Sequence, residues 1–161
     1  MSIRKNDWMQ AWVSLIHAGT FLRQGLEREL RTTLGLSLAE QDLIKQLYLN
    51  DRRLTLSELS DRIYFSKAGV TRMLDRLEDA GFVKREATEN DRRALHAVLT
   101  RKGENAFASS REVLERYVKK HLRDALGDDD LLALKDSLES LLRSHGVWDG
   151  QKRHLRGGRG A

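Results

Sequence analysis

Small and basic side chains occupy the outer face of a predicted helix over residues 67–80, and they suit contacts with the edges of DNA bases. Small residues let a helix lie deep in the major groove, where Arg can pair with guanine and a Thr methyl can touch a thymine methyl. A serine before the helix, with the first backbone N–H groups, can bind phosphate. Arg76, one turn further on, is expected to meet phosphate. The candidate residues at the start of this face are Ser66, Lys67, Ala68, Thr71 and Arg72.

An ordinary surface helix would also carry this mixture of charges. Arg72 could pair with Asp75, or Arg76 with Asp79, and each exposed pair would stabilise the helix by ~0.3–0.5 kcal/mol. A short helix before this segment and a hairpin after it favour DNA binding over that alternative, because the three elements together resemble a helix–turn–helix followed by a β-ribbon.

A second group of candidate residues lies in the predicted hairpin, whose strands run over residues 82–86 and 94–99. The loop between them contains Asn90, Asp91, Arg92 and Arg93. An Arg beside a recognition helix can enter a narrow, electronegative minor groove. Asp91 is a poor partner for DNA, and we expect its carboxylate to hold a neighbouring Arg through a charge-assisted hydrogen bond.

Helices flank these candidates on both sides. An apolar stripe at helical spacing predicts one long helix over residues 8–33. Ser37 with Glu40, and Thr55 with Glu58, form two capping-box patterns that start the next two helices. Asp128 is the predicted N-cap of the final helix. The remaining helices are predicted over residues 37–50, 55–63, 67–80, 100–126 and 128–144.

Composition narrows the class of protein. The chain has 161 residues, no cysteine and no proline, which excludes disulfides and thiolate catalysis and favours a mainly helical fold. Its net charge is +5, and residues 52–103 hold twelve basic and eight acidic side chains, as a polyanion-binding region would. The polar start of the sequence lacks the apolar core of a signal peptide, and no apolar stretch is long enough to span a bilayer, so we expect a cytoplasmic protein without a membrane partner.

Enzymatic chemistry is not predicted. The five histidines are scattered and none pairs at metal-ligand spacing with another His. No nucleophile–base arrangement, glycine-rich phosphate loop or carboxylate pair stands out. We therefore expect no enzyme activity, no metal and no cofactor.

The segment LSELSDRIYFSKAGVTRMLDRLEDAGFVKR and the later DRRALHAVLTRKG resemble the winged helix of the MarR family of bacterial transcription regulators. The order of elements agrees, with helices before and after the winged helix. The resemblance implies a homodimer whose terminal helices interlock, with two recognition helices in successive major grooves of a pseudo-palindrome. It assigns the minor-groove contact to Arg93, its support to Asp91, phosphate to Arg92, and base contacts to Thr71 and Arg72.

The resemblance also implies a small aromatic or anionic effector bound between the dimer helices and the winged helix. Trp12, Ile16 and His17 are the candidate contacts, although Trp and Ile at helical spacing are also typical of a core or dimer interface. A winged helix that binds another protein is the alternative function. The expected fold is mainly α with a small two- to three-stranded wing. Its divisions are an N-terminal dimerisation helix (1–36), a winged helix–turn–helix (37–103), C-terminal dimerisation helices (104–146) and a flexible basic tail (147–161).

Overall fold

The computed structural model describes residues 5–63, 65–87, 95–146, 148–149 and 154–155. Helices dominate, and three short strands form a small sheet. In chain order the elements are α1 Lys5–Leu34, α2 Leu38–Leu49, β1 Arg53–Thr55, α3 Leu56–Arg62, α4 Lys67–Asp79, β2 Val83–Ala87, β3 Leu95–Leu99, α5 Arg101–Val118, a π-helical turn Lys119–Arg123, α6 Asp124–Leu126, α7 Asp128–Ser144, β4 Trp148–Asp149 and β5 His154–Leu155.

The corner between α1 and α2 follows from local sequence. Gly35 ends α1 with a φ of +69°, a conformation that costs glycine little. Ser37 then caps α2: its side chain accepts from the Glu40 N–H, and the Glu40 carboxylate accepts from the Ser37 N–H. This reciprocal pair is the predicted capping box, and it satisfies two N–H groups that have no partner within the helix.

The sheet has three antiparallel strands in the order β1–β3–β2. The sequence predicted β2 and β3 within one residue of their observed ends. It did not predict β1, which pairs Arg53 with Val98 and Thr55 with His96. Thr55 is both the last residue of β1 and the N-cap of α3, where its side chain accepts from the Glu58 N–H as predicted.

The core of the molecule lies in the winged helix, between α2, α3, α4 and the sheet. It extends to the first turns of α5, where Ala106 and Phe107 are buried. Burial of these apolar side chains fixes α4 against the sheet, which is the arrangement that any groove-reading surface needs. The buried residues of the helices and strands around it include Leu43, Ile44, Leu47, Leu59, Val70, Leu74, Leu77, Val83 and Ala97.

The C-terminal helices differ from expectation in two places. The helix predicted to run unbroken to Leu126 is interrupted by the π-helical turn at Lys119–Arg123. The predicted N-cap Asp128 is wrong, because Gly127 precedes α7 with a φ of +79° and no side-chain cap bond forms. Asp128 is instead the first helical residue, where its carboxylate accepts from Arg123 Nε at 3.0 Å.

Much of α1 is exposed in the single chain. Its C-terminal part packs on α2 and α5, where Leu30 is buried, but large apolar side chains near its start face solvent. Among the described helices, none is long and apolar enough to span a membrane. Within the predicted flexible tail, the structure pairs β4 with β5, Trp148 opposite Leu155.

Candidate nucleic-acid interface

The turn between α3 and α4 sets up the candidate recognition helix. α3 ends at Arg62, with the Ile63 N–H bonded to the Leu59 carbonyl. Ser66 then caps α4, because its Oγ accepts from the Gly69 N–H at 3.2 Å. Ser66 is exposed, so its hydroxyl hydrogen stays accessible. The start of α4 therefore presents exposed N–H groups and a hydroxyl, the combination that binds phosphate at helix N-termini.

The outer face of α4 is open along its length. Lys67, Ala68 and Arg72 are exposed, and Thr71 is half-buried with its hydroxyl donating to the Lys67 carbonyl at 2.9 Å. Of the described residues, none forms an ion pair with Arg72, so the alternative Arg72–Asp75 pair is absent there. These four residues thus lie together on one surface, and the Arg72 guanidinium at its centre has no ion-pair partner among the described residues.

Arg76 lies on one flank of α4 and pairs with a residue that local sequence did not suggest. Its Nη2 is 3.0 Å from the Glu40 Oε1 on α2. The Arg76 side chain is 59% exposed, whereas that of Glu40 is 3% exposed. The alternative pair of Arg76 with Asp79 is absent from the described ion pairs. Arg76 therefore reaches the surface while one side of it is held by a buried carboxylate.

Arg85 on β2 holds the opposite flank of α4. Its Nη1 donates to Glu78 Oε2 at 2.7 Å and its Nη2 donates to Asp75 Oδ1 at 2.6 Å. Partial burial lowers the pKa of Arg85, but the hydrogen bond to Asp75 and the charges of both acids outweigh it and raise the pKa. The guanidinium thus remains charged and ties the hairpin to the helix. Arg85 was not among the residues predicted from the sequence.

The predicted hairpin loop lies outside the described residues. Asn90, Asp91, Arg92 and Arg93 all fall between the end of β2 and the start of β3. The strands pair up to Ala87 opposite Leu95, where the described part of the hairpin ends. The assignments of Arg92, Arg93 and Asp91 stay predictions.

The predicted ligand contacts Trp12, Ile16 and His17 are exposed on α1, and none of them lines the cavity that adjoins α1, α2 and the turn before α4. That cavity, about 580 Å³, lies between the α1–α2 region and the turn before α4. Its lining residues are Arg23, Leu38, Ala39, Gln41, Asp42, Lys45, Phe65 and Leu114.

Comparisons with known proteins agree with this architecture. A family model described as the MarR family matches residues 36–95. The HTH-type transcriptional regulator FarR of Neisseria gonorrhoeae is 32% identical over 105 residues, which cover 65% of this chain and 70% of FarR. The crystal structure of AbsC, a MarR family transcriptional regulator from Streptomyces coelicolor, has a TM-score of 0.74 at 26% identity and covers 92% of this chain and 99% of AbsC.

A further solved structure has the same fold. Sco3205, a MarR family regulator from Streptomyces coelicolor determined in complex with DNA, has a TM-score of 0.76 at 23% identity, with 96% of each chain covered. The match to FarR spans more than two thirds of that regulator, and the helix–turn–helix, the hairpin and the flanking helices occur in the order that the resemblance required. The chain belongs to the MarR family of winged helix–turn–helix transcriptional regulators.

Proposed function

We propose that this protein is a homodimeric repressor that binds a specific pseudo-palindromic DNA sequence in the cytoplasm and releases it when a small molecule binds. The observation that carries the proposal is the outer face of α4. That face is small and basic at its N-terminal end and contains Arg72, which has no ion-pair partner in the described part of the chain. Ion pairs from other elements hold both flanks of the helix. A helix held in this way can present fixed side chains to the major groove.

Each candidate residue has a distinct role in this proposal. Thr71 and Arg72 face base edges, because Arg pairs with guanine and the Thr methyl suits thymine. The loop outside the described residues supplies the minor-groove Arg93, which Asp91 supports. The residues that contact phosphate or allow close approach are Ser66, Lys67, Ala68, Arg76 and Arg92.

Dimer formation is supported by apolar surface on the terminal helices. Trp8, Trp12 and Phe21 on α1 are each more than half exposed, and Leu132 on α7 is 56% exposed. Large apolar side chains that remain exposed on these helices favour an interaction surface that covers them. A second copy that covers these helices would bury them and would set the two α4 helices about one DNA turn apart, ~10–10.5 base pairs between half-site centres.

Relief by a small aromatic or anionic molecule is supported by the cavity between the α1–α2 region and the winged helix. It combines apolar walls, including Phe65 and Leu114, with the cationic Arg23 and Lys45. A ligand there would touch both the dimerisation helices and the turn that precedes α4. Trp12, Ile16 and His17 would contact such a ligand only from the second subunit of the dimer.

A winged helix that binds another protein is the second candidate function. It would require an apolar outer face on residues 67–79, where the structure has exposed Lys67, Arg72, Asp75 and Asp79. This polar surface favours DNA.

Selection from a randomised duplex pool tests the proposal. The wild-type protein is expected to enrich a consensus of two inverted half-sites, and Arg72→Ala is expected to relax base preference at one position in each half. Failure of the wild type to enrich any consensus would contradict sequence-specific binding. An unchanged consensus with Arg72→Ala would remove that residue from base recognition.

A further inference from the structure

One buried carboxylate joins the corner between the first two helices to the recognition helix α4. The Oε2 of Glu40 accepts from the Ser37 N–H at 2.8 Å and from the Ser37 hydroxyl at 2.7 Å. Its Oε1 forms the 3.0 Å ion pair with Arg76. Both oxygens of one side chain are therefore used, one for the start of α2 and one for the flank of α4.

A second glutamate continues the connection to α1. The Oε2 of Glu27 accepts from the Leu38 N–H at 2.7 Å, and its Oε1 accepts from Arg31 Nε at 2.6 Å. Leu38 follows Ser37 directly, so Glu27 and Glu40 hold adjacent residues of the same corner. A continuous set of polar contacts thus leads from α1, through the start of α2, to α4.

We propose that Glu40 is a positioning residue for DNA recognition, which fixes the orientation of α4 relative to α1 through Arg76. This inference rests on the proposed function, because it concerns the same DNA-reading surface. In a dimer built on α1, the relation between α1 and α4 sets where the two recognition helices meet the duplex. A bond between those elements therefore governs whether both helices fit their half-sites together.

Glu40 does not contact DNA itself, because its side chain is only 3% exposed, and its link to α4 is the ion pair with Arg76. Arg76, in contrast, can bind Glu40 and DNA at the same time, because its guanidinium has five N–H donors in a rigid fork. One arm faces Glu40 and the exposed remainder can reach a phosphate. Glu40 thus holds the Arg76 fork in one orientation, and a fixed fork loses less freedom when it binds.

The test compares E40Q, R76Q and the double variant in the full-length protein. Glutamine preserves the size of Glu40 and an acceptor for Ser37, but it removes the charge that pairs with Arg76. E58Q is the matched control, because Glu58 accepts from the Thr55 N–H at 2.7 Å and from its hydroxyl at 2.8 Å and has no ion pair to another helix among the described residues. The probes are the duplex enriched by the wild type and a shuffled duplex of equal length.

We expect E40Q to lower the ratio of enriched-duplex to shuffled-duplex affinity by about tenfold, while E58Q leaves this ratio unchanged. In the R76Q background, E40Q should change the ratio by less than about twofold, because the partner through which it acts is gone. An E40Q ratio equal to wild type, or a loss of equal size in both backgrounds, would overturn the inference.

Thermal melting of each variant shows whether it is folded at the assay temperature. If E40Q is unfolded, R76Q alone tests the inference. A lowered ratio supports positioning, whereas equal losses on both duplexes would mean that Arg76 contributes a phosphate contact and nothing more, which would overturn the inference. Failure of the proposed function would be recognised by a different result, because the wild-type protein would then enrich no duplex at all.

Discussion

The hydrogen bonds from Arg85 to acidic residues of α4 should contribute measurably to the stability of the winged helix. Arg85→Gln removes two charge-assisted hydrogen bonds, to Glu78 at 2.7 Å and to Asp75 at 2.6 Å. The Arg85 side chain is 25% exposed, and the acids are 36% and 52% exposed. The stabilisation from each bond should therefore be intermediate. An exposed ion pair contributes up to ~1 kcal/mol, and a charged hydrogen bond shielded from solvent contributes ~1.5–3 kcal/mol. We expect a loss of ~2 kcal/mol in the free energy of unfolding.

For a chain of this length, that loss corresponds to a decrease of ~4–8 °C in Tm. The assay is thermal unfolding followed by circular dichroism, at one fixed protein concentration because dimerisation would itself shift Tm. Lys84→Gln is the matched control. It is adjacent on β2 and makes the same charge change, but Lys84 pairs only with Glu86 among the described ion pairs. A Tm for Arg85→Gln no lower than that for Lys84→Gln would show that the bonds from Arg85 to α4 do not stabilise the fold.

Three further outcomes are expected. Arg93→Ala should weaken binding to the enriched duplex by ~1–3 kcal/mol in an anisotropy titration; unchanged affinity would exclude it from recognition. Gly103→Ala should lower the free energy of unfolding by ~1–2 kcal/mol in urea, because the added Cβ would overlap the Phe82 carbonyl oxygen; a stabilised variant would contradict that overlap. Hydrogen bonds from the Thr55 N–H and hydroxyl lower the pKa of Glu58. Its stabilisation is therefore present at neutral pH and lost as pH falls through the lowered pKa, so the Tm advantage of wild type over E58Q should shrink in acid; a constant difference would contradict this.

Local features of the fold could be predicted because their causes lie within a few residues. Each capping box, Ser37–Glu40 and Thr55–Glu58, joins two residues that are three positions apart, and both boxes are present. The start of α4 at Ser66 was also predicted correctly. These signals fix where helices begin, and from there the apolar spacing fixes which face of each helix is buried.

Contacts between distant residues could not be predicted in the same way. The strand β1 has three residues, and its pairing with β3 depends on residues about forty positions later. The partner of Arg76 is Glu40, whose local pattern indicated only a helix cap. Arg85 could have been identified from the sequence, because strand alternation puts this charged residue on the same face as the buried Val83.

Sequence-specific binding can be measured by fluorescence anisotropy of the wild-type protein with the enriched duplex and with its shuffled counterpart across a salt series. We expect the enriched duplex to bind ~10³-fold or more tightly. We also expect a clear preference to persist as salt weakens the phosphate contacts common to both duplexes. Equal affinities that fall together steeply with salt would contradict sequence-specific binding, because charge alone would then explain the affinity.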